Sequence, residues 1–304
     1  MATDSPAFLF LINPQAGQRQ AHRLPAQIQA AVDRAWPDST CEIRLTDRAH
    51  HANEMAADFA AAHGSRALVV ACGGDGTAHE VANALAGTQA VMTVLPVGSS
   101  NDFARTALSS MAIDTLLSRL ASLRIAPIDL IRVNDRYCLN IASFGFDTVV
   151  LRRMRQISAR FRFLGLFSYQ IAIVLALFGN RRFTLRCRIG ESEEQPVDYI
   201  LAALCNGRYY GGGFNPAPTA QLDDGLLEFL TIDPMPLRRI LGLIPVYKKG
   251  RHLADPAVHA RPAMEGSLVA PEGQLLLGNL DGELYETARI DFAVVPRALR
   301  FAFY

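Results

Sequence analysis

The sequence predicts an α/β unit followed by an all-β unit: a doubly wound, mainly parallel sheet covered by helices, and then a β-sandwich. Two patterns carry this expectation. From Phe8 to about Leu123, short apolar runs alternate with segments of helical spacing, and strand-helix-strand-helix order implies parallel strands with helices on both faces. After Pro127 the apolar runs come more often and are parted by turn residues, as in a sandwich. A chain of 304 residues also exceeds what one core usually serves, so a division at 1–124 and 125–296 is expected.

Phe8 to Ile12 reads as the first strand, closed by the Pro/Gly turn Asn13-Pro14-Gln15-Ala16-Gly17. Leu24, Ile28, Ala31, Val32 and Ala35 recur at spacings of three and four, the apolar stripe of a helix, and Met55, Phe59 and Ala62 repeat the pattern. Cys41 to Leu45, Ala67 to Ala71 and Val91 to Pro96 are the intervening strands. In the second unit, Ile128–Val133, Tyr137–Ile141, Phe183–Ile189, Tyr199–Cys205, Leu226–Ile232, Gln274–Leu280 and Ala288–Val295 read as strands. Helices are expected in pieces between Phe146 and Phe178 and again over Leu237–Tyr247.

Half of the residues are apolar and 19% are charged, the balance of a folded chain, and a net charge of +1 argues against a nucleic-acid footprint. The five cysteines are scattered without C-x-x-C spacing and read as small core residues of a reducing compartment. The N-terminal residues Met1 to Pro6 carry no basic region, so no signal peptide is expected. The apolar stretch from Phe163 to Phe178, interrupted by Ser168 and Gln170, falls short of the roughly 20 residues of a spanning helix.

The most informative segment is Val69-Val70-Ala71-Cys72-Gly73-Gly74-Asp75-Gly76-Thr77, an apolar strand running into three glycines around one carboxylate. Glycines let backbone approach an anion, and the N–H groups opening the next helix point at negative charge. Asp75 would repel phosphate unless a divalent cation lay between them, which suggests metal-nucleotide chemistry. Neither lysine, Lys248 or Lys249, completes a Walker loop, and His79 stands where a dinucleotide fingerprint needs its third glycine. The strand Val91–Pro96 delivers a second polar loop, Val97-Gly98-Ser99-Ser100-Asn101-Asp102-Phe103, to the same carboxyl edge of the sheet.

With these segments in order, the chain resembles the diacylglycerol kinase catalytic family, in particular its soluble bacterial lipid kinases, marked by N-P-x-[SA]-G, G-G-D-G-T and G-T-x-N-D. The resemblance runs on through Ile128-Asp129-Leu130, Phe144-Gly145-Phe146-Asp147, Asn206-Gly207, Gly211-Gly212-Gly213, Asp223-Asp224-Gly225, Asp281-Gly282-Glu283 and Val295-Pro296-Arg297-Ala298-Leu299. Ser99 replaces the usual Thr but keeps a hydroxyl, and Ala16 lacks the hydroxyl that Ser would offer.

The resemblance implies an ATP-dependent lipid kinase that phosphorylates diacylglycerol or a related lipid, with Mg²⁺ as cofactor. Asn13, Thr46, Gly73, Gly74, Asp75, Gly76, Thr77, Gly98, Ser99, Asn101 and Asp102 would contact the nucleotide, with Asp75 approaching the catalytic Mg²⁺ directly or through water. Thr46 can equally be read as a helix N-cap before Arg48. The proton acceptor would be Asp281 or Glu283, although Asp-Gly is also a common surface turn. A second, structural Mg²⁺ would be held by the Asp224 carboxylate and the carbonyls of Gln221 and Leu226. Residues 297–304 would return to the N-terminal unit.

Arg152, Arg153, Arg155, Arg160 and Arg162, followed by Leu164, Leu166, Phe167, Ile171, Ile173, Val174, Leu175, Leu177 and Phe178, suit peripheral contact with an anionic membrane surface. A solvated basic helix followed by a core helix fits them equally well. The expected location is cytoplasmic, at the inner membrane face, with oligomeric state open and a homodimer as one option. Two other functions stay in view: a soluble-metabolite kinase of the NAD-kinase type, and a nucleotide-responsive lipid-binding protein with little turnover.

Overall fold

The computed structural model describes residues 5–16, 23–161 and 167–304. Gly17 of the first loop motif, the extreme N-terminus, and Arg162, Leu164 and Leu166 of the basic-apolar region lie outside the described residues.

Strands β1 (Ala7–Ile12), β2 (Thr40–Leu45), β3 (Ala67–Gly73) and β4 (Val91–Pro96) pair in parallel in the order β2-β1-β3-β4. Alternation along β1 divides the core. Phe8, Phe10 and Ile12 pack with α1 (Leu24–Ala35), whereas Leu9 and Leu11 pack with α2 (His51–His63) and α3 (Asp75–Leu85) on the opposite face. The sheet is thus covered on both sides, as the alternating pattern required. Short helix α4 (Asp102–Ala107) joins the α3 side, and α5 (Ile113–Ser118) joins the α1 side.

The same sheet continues into the second unit. Strand β16 (Arg289–Phe303) pairs parallel with β4 through Arg300 and Phe301, and antiparallel with β5 (Arg124–Val133) on a register that shifts between Val295 and Leu299. Its first half pairs with β13 (Glu265–Val269), which leads to β8 (Phe183–Ile189) and β9 (Gln195–Tyr199), while β6 (Arg136–Cys138) pairs with β5. A second, antiparallel sheet has the order β12-β11-β10-β7-β14-β15, from β7 (Ile141–Gly145), β10 (Leu201–Cys205), β11 (Leu227–Ile232), β12 (Val258–Ala263), β14 (Leu276–Leu280) and β15 (Glu283–Thr287). The segment Tyr137–Ile141, read above as one strand, is the end of β6 and the start of β7.

Phe144, Leu204, Phe229 and Leu280 of this sheet meet Ile131, Leu185, Leu268 and Phe292 of the first, which is the sandwich core. The outer face of the antiparallel sheet is covered by α6 (Phe146–Arg160), α7 (Phe167–Leu177) and α8 (Leu237–Lys248); Leu177, Ile200 and Ile240 join α7 and α8 to it. Among the described residues no helix is long and apolar enough to cross a membrane.

Candidate active site

The four parallel strands end together. Ile12 lies in register with Leu45 and Cys72, and Gly73 with Pro96, so the following loops emerge along one edge. The Asn13 N–H bonds the Cys72 carbonyl at 3.0 Å and the Thr46 N–H bonds Ile12 at 2.9 Å, extending that edge by one residue. Thr46 caps no helix: α2 starts at His51, with His50 at its N-cap position. The Asn13 side chain turns back on its own loop, its Oδ1 accepting the Gln15 N–H at 2.9 Å.

The two glycine loops abut. The Gly98 N–H bonds the Gly73 carbonyl at 3.1 Å, and a Cβ built on Gly98 would lie 2.4 Å from the Gly74 Cα, so no other residue fits there. Helix α3 begins at Asp75 with Gly74 as N-cap and no side-chain cap, which leaves its first N–H groups without intrahelical acceptors. Thr77 is buried beside them, and Ser99 is exposed. Asn101 adopts a left-handed backbone (φ 52°), and its Nδ2 donates to Pro96 and Gly98 carbonyls at 3.2 and 2.7 Å. Its Oδ1 is buried with no hydrogen-bond partner.

Asp75 Oδ1 accepts the Phe103 N–H at 3.0 Å, which ties the first loop to the second. Burial pushes its carboxyl above the usual range against the lowering pull of the Phe103 and Asp102 N–H groups, and Asp281 adds a raising charge. Asp102 is more deeply buried. Its two oxygens accept the N–H groups of Gly212 and Gly213, each at 2.8 Å, and Arg105 approaches at 3.7 Å. Burial, followed by the charge of Asp75, raises its pKa to about 6 against those two bonds. A half-buried and a buried carboxylate with raised pKa values, Asp75 and Asp102, beside an unpartnered amide oxygen form a hard-oxygen set suited to a divalent cation. The glycine turn at 211–213 is held by Asp102.

On the opposite wall the two acidic residues of Asp281-Gly282-Glu283 have different surroundings. The Asp281 side chain is only 2% exposed and its carboxylate meets five donors. These are the N–H groups of Leu139 (2.6 Å), Asn140 (2.9 Å) and Ile141 (3.0 Å), the Cys138 thiol (3.1 Å) and His79 Nδ1 (2.8 Å). Burial opposes its ionisation, but His79 and these donors hold its carboxyl below the usual range. A carboxylate so occupied is a poor proton acceptor.

Glu283, two residues on, is half-buried and lies with His50 and Glu80 in a group whose polar atoms fall within 4.8 Å of one another. Glu80 is already engaged by the N–H groups of His50 and Ala52, at 2.9 and 3.0 Å, so this corner is hydrogen-bonded rather than metal-ready. Arg155 of α6 donates to the Gly282 carbonyl at 2.6 Å, and the Gly282 N–H bonds Asn279 Oδ1 at 2.8 Å. Of the other arginines in the basic cluster, Arg153 bonds the Leu175 carbonyl at 2.8 Å and Arg152 lies 3.7 Å from Glu286.

The segment around Asp224 stands apart from the strand-end loops. Asp224 is exposed and its Oδ1 accepts the Leu226 N–H at 3.0 Å, the geometry of a local turn, which engages one of its two oxygens. The turn is anchored by buried Asp129, which accepts the Gly225 and Arg297 N–H groups at 2.7 and 2.8 Å and donates its own N–H to Leu222 at 2.6 Å. Asn206 Nδ2 bonds the Asp129 and Leu139 carbonyls, each at 2.9 Å.

Residues 7–133 match the diacylglycerol kinase catalytic domain and residues 140–303 match the YegS C-terminal NAD kinase beta sandwich-like domain. The chain belongs to the diacylglycerol kinase catalytic family. It is 35% identical over 296 residues to a Pseudomonas aeruginosa (strain UCBPP-PA14) protein named "Probable lipid kinase YegS-like", covering 94% of this chain and 86% of that one. A protein of the same name from Xanthomonas oryzae pv. oryzae is 32% identical over 287 residues, covering 90% and 86%. The fold is shared with the crystal structure of a diacylglycerol kinase from Bacillus anthracis str. Sterne, at 18% identity and a TM-score of 0.73 over 98% of this chain and 97% of that one.

Three partners in this site carry no motif of their own in the sequence reading. His79 and Glu80 follow the G-G-D-G-T segment, and the signal that could have found His79 is its i+4 spacing from Asp75, which sets both on one helix face. Cys138 offered no such signal, since it reaches from the end of β6 to the β14–β15 turn, 143 residues on.

Proposed function

We propose that this chain is an ATP-dependent, Mg²⁺-requiring lipid kinase that transfers the γ-phosphoryl group of ATP to a hydroxyl of diacylglycerol or a related lipid. The observation that carries the reading is the pairing of two abutting glycine loops bearing Asp75 and Asp102 with a half-buried carboxylate, Glu283, near the same helix α3. Backbone N–H groups of Gly74, Asp75, Gly76 and Thr77, with the Asn13, Thr46, Gly98, Ser99 and Asn101 positions along the strand ends, form the nucleotide side. When bound there, Mg²⁺ neutralises phosphate charge, and Asp75 and Asp102 are the residues that would hold it, directly or through water.

The acceptor hydroxyl oxygen forms its bond to the γ-phosphorus as the bond to the bridging β–γ oxygen breaks, and the electron pair leaves on ADP. Glu283 takes the hydroxyl proton. Asp281 cannot serve as well, because its oxygens are occupied by five donors. The structural Mg²⁺ at the free oxygen of Asp224 with the Gln221 and Leu226 carbonyls is part of the same proposal, outside the transfer step.

Contact with an anionic membrane surface is supported by α7. Ile171, Val174, Leu175 and Phe178 recur at i, i+3, i+4 and i+7 and are 37, 53, 45 and 78% exposed, and exposed Leu241 lies on neighbouring α8. Such a face would bring the cleft to its acceptor at the cytoplasmic leaflet.

The test is ADP release from ATP and Mg²⁺ against vesicles or micelles of diacylglycerol, monoacylglycerol, ceramide, sphingosine and prenols, with NAD as a soluble control. Release that depends on one lipid alcohol supports the reading. Release with NAD alone would favour the soluble-metabolite kinase, and vesicle and ATP binding without ADP release would favour a nucleotide-responsive lipid-binding protein.

A further inference from the structure

We infer that His79 is a positioning residue for phosphoryl transfer: through Asp281 it fixes where Glu283 stands relative to the nucleotide loops. The inference rests on the proposed kinase reading. His79 lies one helical turn after Asp75, so both side chains leave the same face of α3. Its Nδ1 meets Asp281 Oδ2 at 2.8 Å, with side-chain exposures of 8 and 2%. The other four donors to Asp281 all come from residues 138–141, in the second unit. Among the described residues, His79 is therefore the link between that carboxylate and the helix that carries the phosphate loop.

The far side of the ring is also set. Asn83 Nδ2 lies 3.4 Å from His79 Nε2, and Asn83 exchanges bonds with the Tyr137 N–H and carbonyl at 3.0 and 2.9 Å. The ring thus lies between β6, α3 and the β14–β15 turn. Asp281 has a left-handed backbone (φ 51°) and only Gly282 separates it from Glu283, so a displaced Asp281 carries Glu283 with it.

The charges facing His79 are anionic from each neighbouring element: Asp281 from the turn, Glu283 from β15, and Glu80 from its own helix, with Asp75 one turn earlier on that helix. Cys138, beside Asp281, stays a thiol because burial raises its pKa well above the usual value. Burial works against charging His79, yet the Asp281 bond and these carboxylates hold it above the usual 6.5. A cationic ring here strengthens the hydrogen bond that anchors the turn.

The experiment compares His79→Ala and His79→Asn with wild type by kcat, KM for ATP and thermal stability, on whichever lipid wild type phosphorylates. The Asn side chain places an N–H near the position of His Nδ1 without the charge. His79→Ala should lower kcat by about tenfold or more with KM for ATP changed less than about twofold, since small misplacement of a reacting group is costly. His79→Asn should recover most of kcat, because it keeps an N–H directed at Asp281. Should His79→Ala not fold, His79→Leu, apolar and closer in volume, takes its place with the same expected loss of kcat. Loss of kcat in step with stability in both variants would make the pair purely structural and overturn the inference. A normal kcat in His79→Ala would overturn it too. A wild type that releases no ADP with any lipid would overturn the kinase reading and this inference together, whereas an active wild type indifferent to His79 overturns only the latter.

Discussion

Asp102, at the start of α4, accepts the N–H of Gly212 at 2.8 Å across the boundary between the two units, and its other oxygen takes Gly213 at the same distance. A residue that the sequence assigns to the nucleotide side thus also holds a glycine turn of the second unit. Asp102→Asn leaves one acceptor for two donors in partly buried hydrogen bonds, and losing one such bond costs on the order of 1 kcal/mol. The expected outcome is a lower melting temperature and reduced kcat/KM for ATP, read by calorimetry and ADP release. Unchanged stability would show that the glycine turn holds itself.

The pH response of this contact has a definite sign. Asp102 is raised from its usual 3.8 to about 6, so between these values the folded protein holds a proton that the unfolded chain has lost. Its contribution to stability therefore falls as pH rises through that window, while the ionised form that accepts both N–H groups, and activity with it, grows. Asp102→Asn should remove a titration step near pH 6 from the activity profile.

For the His79–Asp281 pair the signs are complementary. His79 is raised above 6.5, so its stabilisation is fully present below that pH and fades as pH climbs through its folded value; Asp281 is lowered below 3.8, so its stabilisation is present above 3.8 and fades on acidification through its folded value. Melting temperature against pH should show a plateau between these limits, and His79→Asn should abolish the alkaline decline. A parallel decline in the variant would assign it to other groups.

The two carboxylates of the Asp281-Gly282-Glu283 turn should separate cleanly. Glu283→Gln should lower kcat by about a hundredfold or more with little change in ATP binding or melting temperature, the scale of a lost general base. Asp281→Asn should reduce stability first, because an amide cannot accept all five donors. Equal stability losses in both would contradict this division.

With the proposed structural Mg²⁺ at Asp224, added Mg²⁺ should raise the wild-type melting temperature and alanine substitution should remove most of that protection, since a bound ion stabilises by mass action. Equal protection of variant and wild type would leave the Asp-Asp-Gly segment as a turn only.

Helices α6 and α7 offer the last contrast. Val174→Ser with Phe178→Ser should weaken binding to anionic vesicles and leave turnover on detergent-dispersed lipid unchanged, whereas Arg155→Gln should lower turnover in detergent as well, because Arg155 holds the Gly282 carbonyl. Vesicle pelleting and ADP release distinguish the two.

Much of this was open to a reader of the sequence. Strands Val91–Pro96 and Phe183–Ile189 coincide with β4 and β8, and the strand-to-glycine transitions at Gly73 and Gly98 marked the loops that abut in the site. These features are local: apolar period and turn chemistry act over a few residues. The strands that escaped notice have physical reasons too. β9, β12 and β15 each end a sheet, where one side lacks a neighbour and exposed polar residues blur the alternation. Strand β13 is interior but begins Glu265-Gly266-Ser267, and Gly266 is there because a Cβ would lie 2.3 Å from the Arg188 carbonyl.

What the sequence determined by itself was the order of elements, the glycine loops with Asp75, and the carboxylates available to the site. What only the tertiary structure decided was how those carboxylates are used. Asp102 became a clamp on a distant glycine turn and Asp281 a hub for residues 138–141 and His79, which is why the proposed transfer assigns the proton to Glu283. Ionisation and hydrogen-bond occupancy depend on which donors arrive from elsewhere in the chain, and His79 and Asp281 are 202 residues apart.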